Sequence, residues 1–423
     1  MSRLVAMTHT DGVNTLDHVV RRNTLVLSAS MALNWSIIVL LASLTTPAIG
    51  VLFGLPGLAG LGFGIFLIFY ALGGLLTGRL MDAWGRRAGL QLAFVVGAIG
   101  AFLIYIGLGE RSLPLSFAGL LVIGVGTGGA NLARAAGADM YPPQHRPRGI
   151  ALVLAGAAFG AIGAPIVFAP LLAGARAGEP AALALPFAVA AAILLAGAFL
   201  LLAIRVDPRE IAEQLRAAGA TPGTAALPAR PIRQLVAQQL VPLALLSAIA
   251  AQAVMTSIMA LAGLVLVHQG HDASSVLLTV SVHFLGMFGL VLVVGRVVEI
   301  VGRFRSVLVG LIVLAAGSLI LLPGAELIFF VPGMFAVGVG WNIAFVASTA
   351  ILADAANANE RGRLLGLSDF LALLGAALLS VISGLVLDAL GLPAVIFVGV
   401  MLALVPTLLF VLNRERLQRL AAP

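Results

Sequence analysis

The sequence predicts an all-α protein that crosses a membrane twelve times, and three observations carry that prediction. Only 10% of its 423 residues are charged while 61% are hydrophobic, whereas a soluble domain carries about a quarter charged residues. The mean hydropathy is +1.13. The apolar residues are gathered into twelve runs separated by short polar gaps, each close to the roughly 20 residues a spanning helix needs. The 49 glycines fit the same class, since membrane helices tolerate glycine better than soluble ones do.

The runs fall near 24–52, 58–78, 89–109, 115–140, 149–173, 183–204, 240–267, 273–295, 305–322, 327–352, 363–387 and 393–412. The first is too long, and too poorly followed by a cleavage site, to be a removable signal peptide, so it reads as the first span. The other eleven follow in order, with gaps short enough to make successive spans antiparallel.

Charge sets the orientation. The formal net charge is +7 and all 24 basic residues are Arg. In a soluble protein such a balance points to nucleic acid, but here the Arg residues sit in the gaps between apolar runs, so no nucleic-acid partner is expected. One set of gaps holds Arg3, Arg21, Arg22, Arg79, Arg86, Arg87, Arg146, Arg148, Arg205, Arg209, Arg216, Arg230 and Arg233. It continues with Arg296, Arg303, Arg305, Arg361, Arg363, Arg414, Arg416 and Arg419. The opposite gaps hold only Arg111 and Arg176. Positive charge stays on the cytoplasmic side, which puts both termini there. The Arg-only, Ala/Gly/Leu-rich composition suits a GC-rich bacterium and its inner membrane.

There is no Cys, which removes disulfides, thiolate nucleophiles, zinc ribbons and iron–sulfur clusters. The long polar interval 205–239 opens with a charged stretch of helical character (Arg205 to Arg216) and continues as a Gly/Pro/Ala/Thr linker (Gly219 to Pro231). The expected organisation is a cytoplasmic tail (1–23), a six-helix bundle (24–204), the linker (205–239), a second six-helix bundle (240–412) and a second tail (413–423).

The two halves repeat each other. Gly78-Arg79-Leu80-Met81-Asp82-Ala83-Trp84-Gly85-Arg86-Arg87 follows the second run, and Gly295-Arg296-Val297-Val298-Glu299-Ile300-Val301-Gly302-Arg303-Phe304-Arg305 follows the eighth, about 217 residues later. A second pair comprises Asp139 with Arg146 and Arg148, and Asp354 with Arg361 and Arg363. Nearly constant offsets across two loops argue for duplication, a common construction among secondary transporters.

On these residues the chain resembles the major facilitator superfamily over essentially its whole length. Gly78, Leu80, Asp82, Gly85, Arg86 and Arg87 match the family's Gly-x-Leu-x-Asp-x-x-Gly-Arg-Arg signature. The resemblance implies two pseudo-symmetric bundles that rock about a central site and open it alternately to either side, working as a monomer. It also implies a latch in which Asp82 ties the first bundle to the eleventh span when the protein opens outward. On their own chemistry, Gly78 and Gly85 allow close packing and a tight turn, and Asp82 accepts hydrogen bonds from Arg or a helix N-terminus. Gly295, Glu299, Gly302 and Arg303 take the corresponding places in the second half. The bland reading is that these charges fix topology and loop geometry alone.

Ionisable groups inside a span cost roughly 2.5–3.5 kcal/mol each on insertion scales, so each is a functional candidate. Arg134 lies near the cytoplasmic end of the fourth run and Asp369 about two turns into the eleventh. In the fold that the resemblance implies these two hairpins meet, so Arg134 and Asp369 are expected to pair across the inner gate, with Asp369 a candidate protonation site. Snorkelling or pairing with Asp139 is the alternative for Arg134, and a static packing bond that for Asp369. His283, in the middle of the eighth run, is either a proton carrier or a neutral packing residue. His268 and His271, beside Asp272, read as a solvated outer loop.

The cavity walls implied by the family architecture offer Asn34, Trp35 and Ser36 in the first run and Asn131 in the fourth. The seventh adds Gln252 and Thr256, which share a helical face, with Met255 and Met259 nearby; the tenth adds Trp341 and Asn342. Such walls suit a moderately apolar, uncharged ligand; interhelical bonding by the amides and interfacial anchoring by the Trp residues are the competing reading.

Two features depart from the drug/proton antiporters of the family. The Arg-x-x-Gln-Gly of their fourth span is absent, Leu120 and Ile123 preceding Gly124, and Gly156, Gly160, Gly163 and Pro165 make only a partial, displaced version of their fifth-span motif. Gly124-Val125-Gly126-Thr127-Gly128-Gly129 mimics a dinucleotide fingerprint but lies inside an apolar run with no preceding strand. With no Lys there is no phosphate-binding Gly-Lys-Ser/Thr loop, and no metal or nucleophile motif is visible. The expectation is a transporter, not an enzyme, without cofactor or metal, whose partners are a small-molecule solute, protons and the lipid bilayer. Proton-coupled export of a moderately apolar compound is the first reading. Uptake or facilitated diffusion of an organic anion or metabolite, and a non-transporting membrane scaffold or receptor, remain open.

Overall fold

The computed structural model describes residues 9–142, 145–173, 179–217, 230–238, 240–357 and 360–412. The expected C-terminal tail (413–423), part of the N-terminal tail and linker residues 218–229 lie outside them, as do Arg3, Arg176, Arg414, Arg416 and Arg419.

The described residues form helices and no strand. In the first half these are α1 (His9–Pro47), α2 (Ala59–Trp84), α3 (Arg86–Gly109), α4 (Leu113–Ala130), α5 (Ala133–Asp139), α6 (Arg146–Leu172) and α7 (Pro180–Leu200). The interval between the halves carries α8 (Pro208–Ala217) and α9 (Ile232–Val236). The second half contains α10 (Val241–His268), α11 (Ala273–Phe288), α12 (Val291–Val301), α13 (Arg303–Leu319), α14 (Leu327–Ala355), α15 (Arg361–Leu390) and α16 (Leu392–Leu412). Ten stretches are long and apolar enough to cross a membrane, and α11 with α12, bent by 45°, makes an eleventh. The 17-residue α13 provides the twelfth crossing. Each apolar run of the sequence thus has its helix, and several helices extend past the run: α1 already begins at His9.

Irregularities have local causes. Pro47 lacks an N–H, so the regular ladder of α1 ends there and widens into a π-turn at Ala48–Leu52. Pro occupies the first turn of α4, α6, α7 and α10, where its missing N–H leaves no bond unmade. Within lipid there is no hydrophobic drive between helices, so small residues that let backbones touch hold the bundles together. A Cβ on Gly100 would overlap the backbone of Ile123 where α3 crosses α4, and one on Gly310 would overlap Ala344 where α13 crosses α14.

The two bundles meet mainly at the end carrying few Arg residues. There α2 lies directly on α15: a Cβ on Gly60 would overlap the Ser380 carbonyl, and the Ser380 hydroxyl donates to the Gly60 carbonyl at 3.1 Å. Gly263 of α10 presses on Ser43 and Pro47 of α1, and α6 packs on α11. Toward the Arg-rich end, α12 packs instead on α13 and α14 of its own bundle. The described conformation is therefore sealed at the Arg-poor end.

Candidate functional site

The Arg-rich loops are built twice on one plan. Gly85 (φ 94°, ψ 161°) ends α2 and starts α3, and Gly302 (φ 90°, ψ 146°) does the same for α12 and α13. Both lie in the left-handed region that favours glycine. The Arg that follows each glycine reaches the Asp at the end of the fourth or tenth span. Arg86 Nε donates to Asp139 Oδ2 at 2.7 Å, and Arg303 pairs with Asp354. Asp139 is thus engaged by Arg86, and the alternative pairing of Arg134 with Asp139 is not what the chain adopts.

Asp82 receives Arg86 Nη1 at 2.6 Å, within its own bundle, and its side chain is 73% exposed. In this conformation Asp82 does not reach α15. Glu299, its counterpart, is exposed. The expectation of close packing at Gly78 is corrected: its nearest neighbour across a Cβ would be Leu132 at an ordinary 3.7 Å, and around Gly295 there is open space.

Sequence reasoning missed Asp207. Its carboxylate accepts from the backbone N–H of Arg86 (3.0 Å) and of Arg87 (2.9 Å), so it caps α3, and a third bond from the Arg209 N–H caps α8. A negative charge on a helix N-terminus is favourable both as a hydrogen-bond acceptor and against the helix dipole. A Cβ on Gly85 would press on this carboxylate, a second reason for glycine there. Arg87 donates to the Ile204 carbonyl, and Asn23 to that of Val206. The signal was present in Asp207-Pro208, an N-cap residue before a first-turn proline, but nothing in it names α3 as the second helix.

At the other end of the interval, Glu360 is fully buried. It accepts from Arg230 Nη2 at 2.7 Å and from the backbone N–H of Arg230 (2.7 Å) and Asn357 (3.0 Å). The Arg230 side chain is the main reason its carboxyl titrates at about 2, well below the ordinary range.

Arg134 and Asp369 come together. Arg134 Nη2 of α5 stands 3.7 Å from Asp369 Oδ2 of α15, with the two side chains 38% and 45% exposed. Among the described residues this is the only ion pair joining the two bundles. Tyr70 of α2, not anticipated, lies close enough to interact electrostatically with both charges. It is one of three Tyr in the chain, and its placement inside an apolar run was the available clue.

Deeper between the bundles lies an aromatic cluster. The Trp35 ring of α1 stands 4.5 Å from Phe288 and 5.5 Å from Phe284 of α11. Phe288 stands 6.0 Å from Trp341 of α14, which stacks on Phe345 at 5.0 Å. Trp341 Nε1 donates to Gln252 Oε1 at 2.8 Å, and Gln252 Nε2 donates to Thr256 Oγ1 at 3.1 Å. Trp35, Gln252, Thr256 and Trp341 are therefore one assembly, held together by Phe284 and Phe288; the spacing of these two on one helical face was the overlooked signal. Asn34 is buried and donates to the Thr127 carbonyl of α4 at 3.1 Å. Asn131 ends α4 at the break before α5, and Asn342 is buried in α14. His283, fully buried, has Nδ1 2.8 Å from the Met334 carbonyl, so that nitrogen carries the proton.

The outer loop is less simple than a solvated stretch. His271 Nε2 donates to the Ala325 carbonyl at 2.9 Å. Asp272 caps α11 through the Ser275 N–H, and bonds from Ser274 and Ser275 hold its carboxyl below the usual range. A separate small pocket lies in the first bundle, with Leu44, Thr45, Phe117 and Phe187 on its walls, and none of the residues nominated from sequence lines it.

Comparison with known proteins decides the family. The model of the Major Facilitator Superfamily matches residues 24–279 and 243–422. The chain belongs to this superfamily. It is 30% identical over 366 residues to the uncharacterized MFS-type transporter YdeG of Bacillus subtilis, spanning 86% of this chain and 85% of that one. It is 27% identical over 398 residues to the riboflavin transporter RfnT of Brucella anthropi, covering 92% and 96% of the two chains. In fold it matches the nucleoside transporter NupG (TM-score 0.71, 11% identity, 92% and 99% covered). It also matches the xylose transporter XylE of E. coli (TM-score 0.63, 15% identity, 94% and 97% covered) in a partially occluded, inward-open conformation. The protein is thus a multi-pass membrane transporter of the major facilitator fold, and not an enzyme.

Proposed function

We propose that this chain exports a small, moderately apolar organic solute by alternating access in exchange for protons. It does so as a monomer in an inner membrane, with both termini cytoplasmic. The observation that carries this reading is the Arg134–Asp369 pair, a cation and a carboxylate from opposite bundles, 3.7 Å apart at the end that is not sealed. A proton placed on Asp369 Oδ2 removes the charge that Arg134 faces and loosens the link between the bundles. Loss of the proton restores the charge and the link. The central cluster is the solute site, because its walls are rings and amides without a net charge.

The latch role of Asp82 belongs to the same cycle. Exposed here and held by Arg86 of its own bundle, it would turn to α15 when the Arg-rich end closes. We keep the division into tail (1–23), bundle (24–204), linker (205–239), bundle (240–412) and tail (413–423) as part of this reading; the Asp207 bonds to α3 and the Arg230–Glu360 pair support a linker tied to both halves.

The test is proton flux in inverted vesicles carrying a preformed pH gradient, challenged with amphipathic drugs, sugars and organic acids. Specific compounds should release protons from vesicles with the intact protein and not from those with Asp369→Asn. Exchanging the charges (Arg134→Asp with Asp369→Arg) should recover part of what either single change loses. Identical flux in Asp369→Asn would sink the coupling. The likeness to RfnT favours a second reading, carriage of a flavin-like metabolite without proton exchange. Counterflow of labelled riboflavin unaffected by Asp369→Asn would select it.

A further inference from the structure

The aromatic cluster has a composition that narrows its ligand. Its two Trp rings come from different bundles, Trp35 from α1 and Trp341 from α14. The Phe288 ring is edge-on to both, at 4.5 and 6.0 Å with interplanar angles of 65° and 72°. Phe288 is the last residue of α11, and Gly289 and Leu290 interrupt the helix before α12 begins. The ring that touches both indoles is therefore mounted at a helix break.

The polar atoms around the rings are unevenly satisfied. Trp341 Nε1 is engaged by Gln252, whereas Trp35 Nε1 is buried without a partner. His283, whose ring packs on Phe284 at 5.7 Å, directs Nδ1 to the Met334 carbonyl. That bond leaves Nε2 a bare acceptor, also buried without a partner. Buried donors and acceptors are rarely left unmet, and such orphans mark places where a missing group belongs. The cluster thus offers flat π-faces from both bundles, an orphan donor in Trp35 Nε1, an orphan acceptor in His283 Nε2, further unpartnered amide atoms on the neighbouring Asn34 and Asn342, and no charge.

We infer that the solute of this site is a planar heteroaromatic ring system, which displaces the Phe288 ring to stack between Trp35 and Trp341 and presents an acceptor to Trp35 Nε1 and a donor to His283 Nε2. This rests on the reading of the cluster as the solute site. A sugar lacks the faces, an aliphatic amine lacks both faces and acceptor, and an anion has no cation here, Arg134 being engaged by Asp369. Stacking on both indoles also ties the two bundles together through the solute, so occupancy itself favours the closed arrangement between them.

Fluorescence makes the inference testable, because the chain has three Trp and the third, Trp84, is exposed. In Trp84→Phe the remaining emission comes from the cluster alone. The probe is acridone, a flat tricycle with an N–H on one edge and a carbonyl on the other; its fully reduced analogue perhydroacridine is the non-planar control. Affinity is measured by equilibrium dialysis on the full chain in nanodiscs, with quenching as the signature of binding close to the cluster. Acridone should bind saturably, quench the cluster emission, and bind at least tenfold more tightly than perhydroacridine. Trp35→Leu should weaken it at least tenfold and Trp35→Phe by less, while Phe288→Ala should not weaken it; melting temperatures of each variant verify folding. Equal binding of the two compounds, or binding indifferent to Trp35→Leu, would overturn the inference. The vesicle assay separates the two failures. Proton release by sugars or acids with no acridone binding leaves transport standing and removes only the planar solute. Acridone binding with no solute moved by any assay removes transport.

Discussion

The two ends of this molecule are closed by different physics. At the Arg-poor end the α2 backbone rests on the α15 backbone at Gly60 and Ser380, buried and hydrogen-bonded. At the Arg-rich end the bundles share one ion pair, 3.7 Å long and more than a third exposed on both partners. A close-packed seam is strong but intolerant of a single added methyl group. An exposed pair contributes at most about 1 kcal/mol and weakens with salt. The end held by packing therefore carries the larger share of the energy that joins the bundles, and the end held by charge the smaller.

The sharpest way to break that contrast is Gly60→Val. Overpacking costs about 1–3 kcal/mol, so the sealed conformation should lose roughly fivefold to 150-fold in population. With no native Cys, the effect is read from maleimide labelling of Ser383→Cys, a buried position on α15, using an impermeant reagent added from the Arg-poor side. Labelling should accelerate by a comparable factor; an unchanged rate would show that the seam is not what closes this end.

Next in size is Asp207→Ala, which removes the acceptor from two α3 amides. A lost cap costs about 1 kcal/mol, so melting in detergent should fall by a few degrees, and less for Asp207→Asn, which keeps an acceptor. Equal stability of all three would contradict the cap. A smaller change is expected for Arg134→Gln. The same Ser383→Cys labelling should shift by less than roughly fivefold, and raising salt to 1 M should abolish even that difference. A shift as large as that of Gly60→Val would mean that the pair, not the seam, governs the conformation.

A pH-dependent effect concerns Glu360. Its carboxyl titrates at about 2 when folded and near 4.3 in an unfolded chain. Its contribution to stability is present in full above the unfolded value and is lost as pH falls toward the folded one. The melting difference between wild type and Glu360→Gln should stay flat from pH 8 to pH 5 and shrink only below about pH 4. A difference that already declines between pH 7 and pH 6 would contradict the Arg230 clamp.

What could be read beforehand follows the same divide. The twelve crossings were legible because lipid demands a continuous apolar run for each, and Arg134 and Asp369 because an ionised side chain inside such a run is rare enough to single out. The repeat was legible as loop residues, although its structural content, Arg86 on Asp139 and Arg303 on Asp354, needed coordinates. The partners of Asp207 and Glu360 were not legible. Each carboxylate is an ordinary residue in its own stretch and acquires a role from a partner more than 60 positions away. Phe284 and Phe288 were hidden for the opposite reason, since aromatic rings are unremarkable in an apolar span until two Trp are found on either side of them.

The central claim, that the packed end and the charged end close in turn, is tested most directly by distances across the Arg-rich end. Spin labels at Trp84→Cys on α2 and Ile300→Cys on α12, both exposed and one in each bundle, report whether that end closes. In liposomes the account predicts two distances, the longer dominant in the resting protein and the shorter gaining when the Gly60→Val seam is broken. One distance, unchanged by Gly60→Val and by Asp369→Asn, would contradict alternation between the two ends.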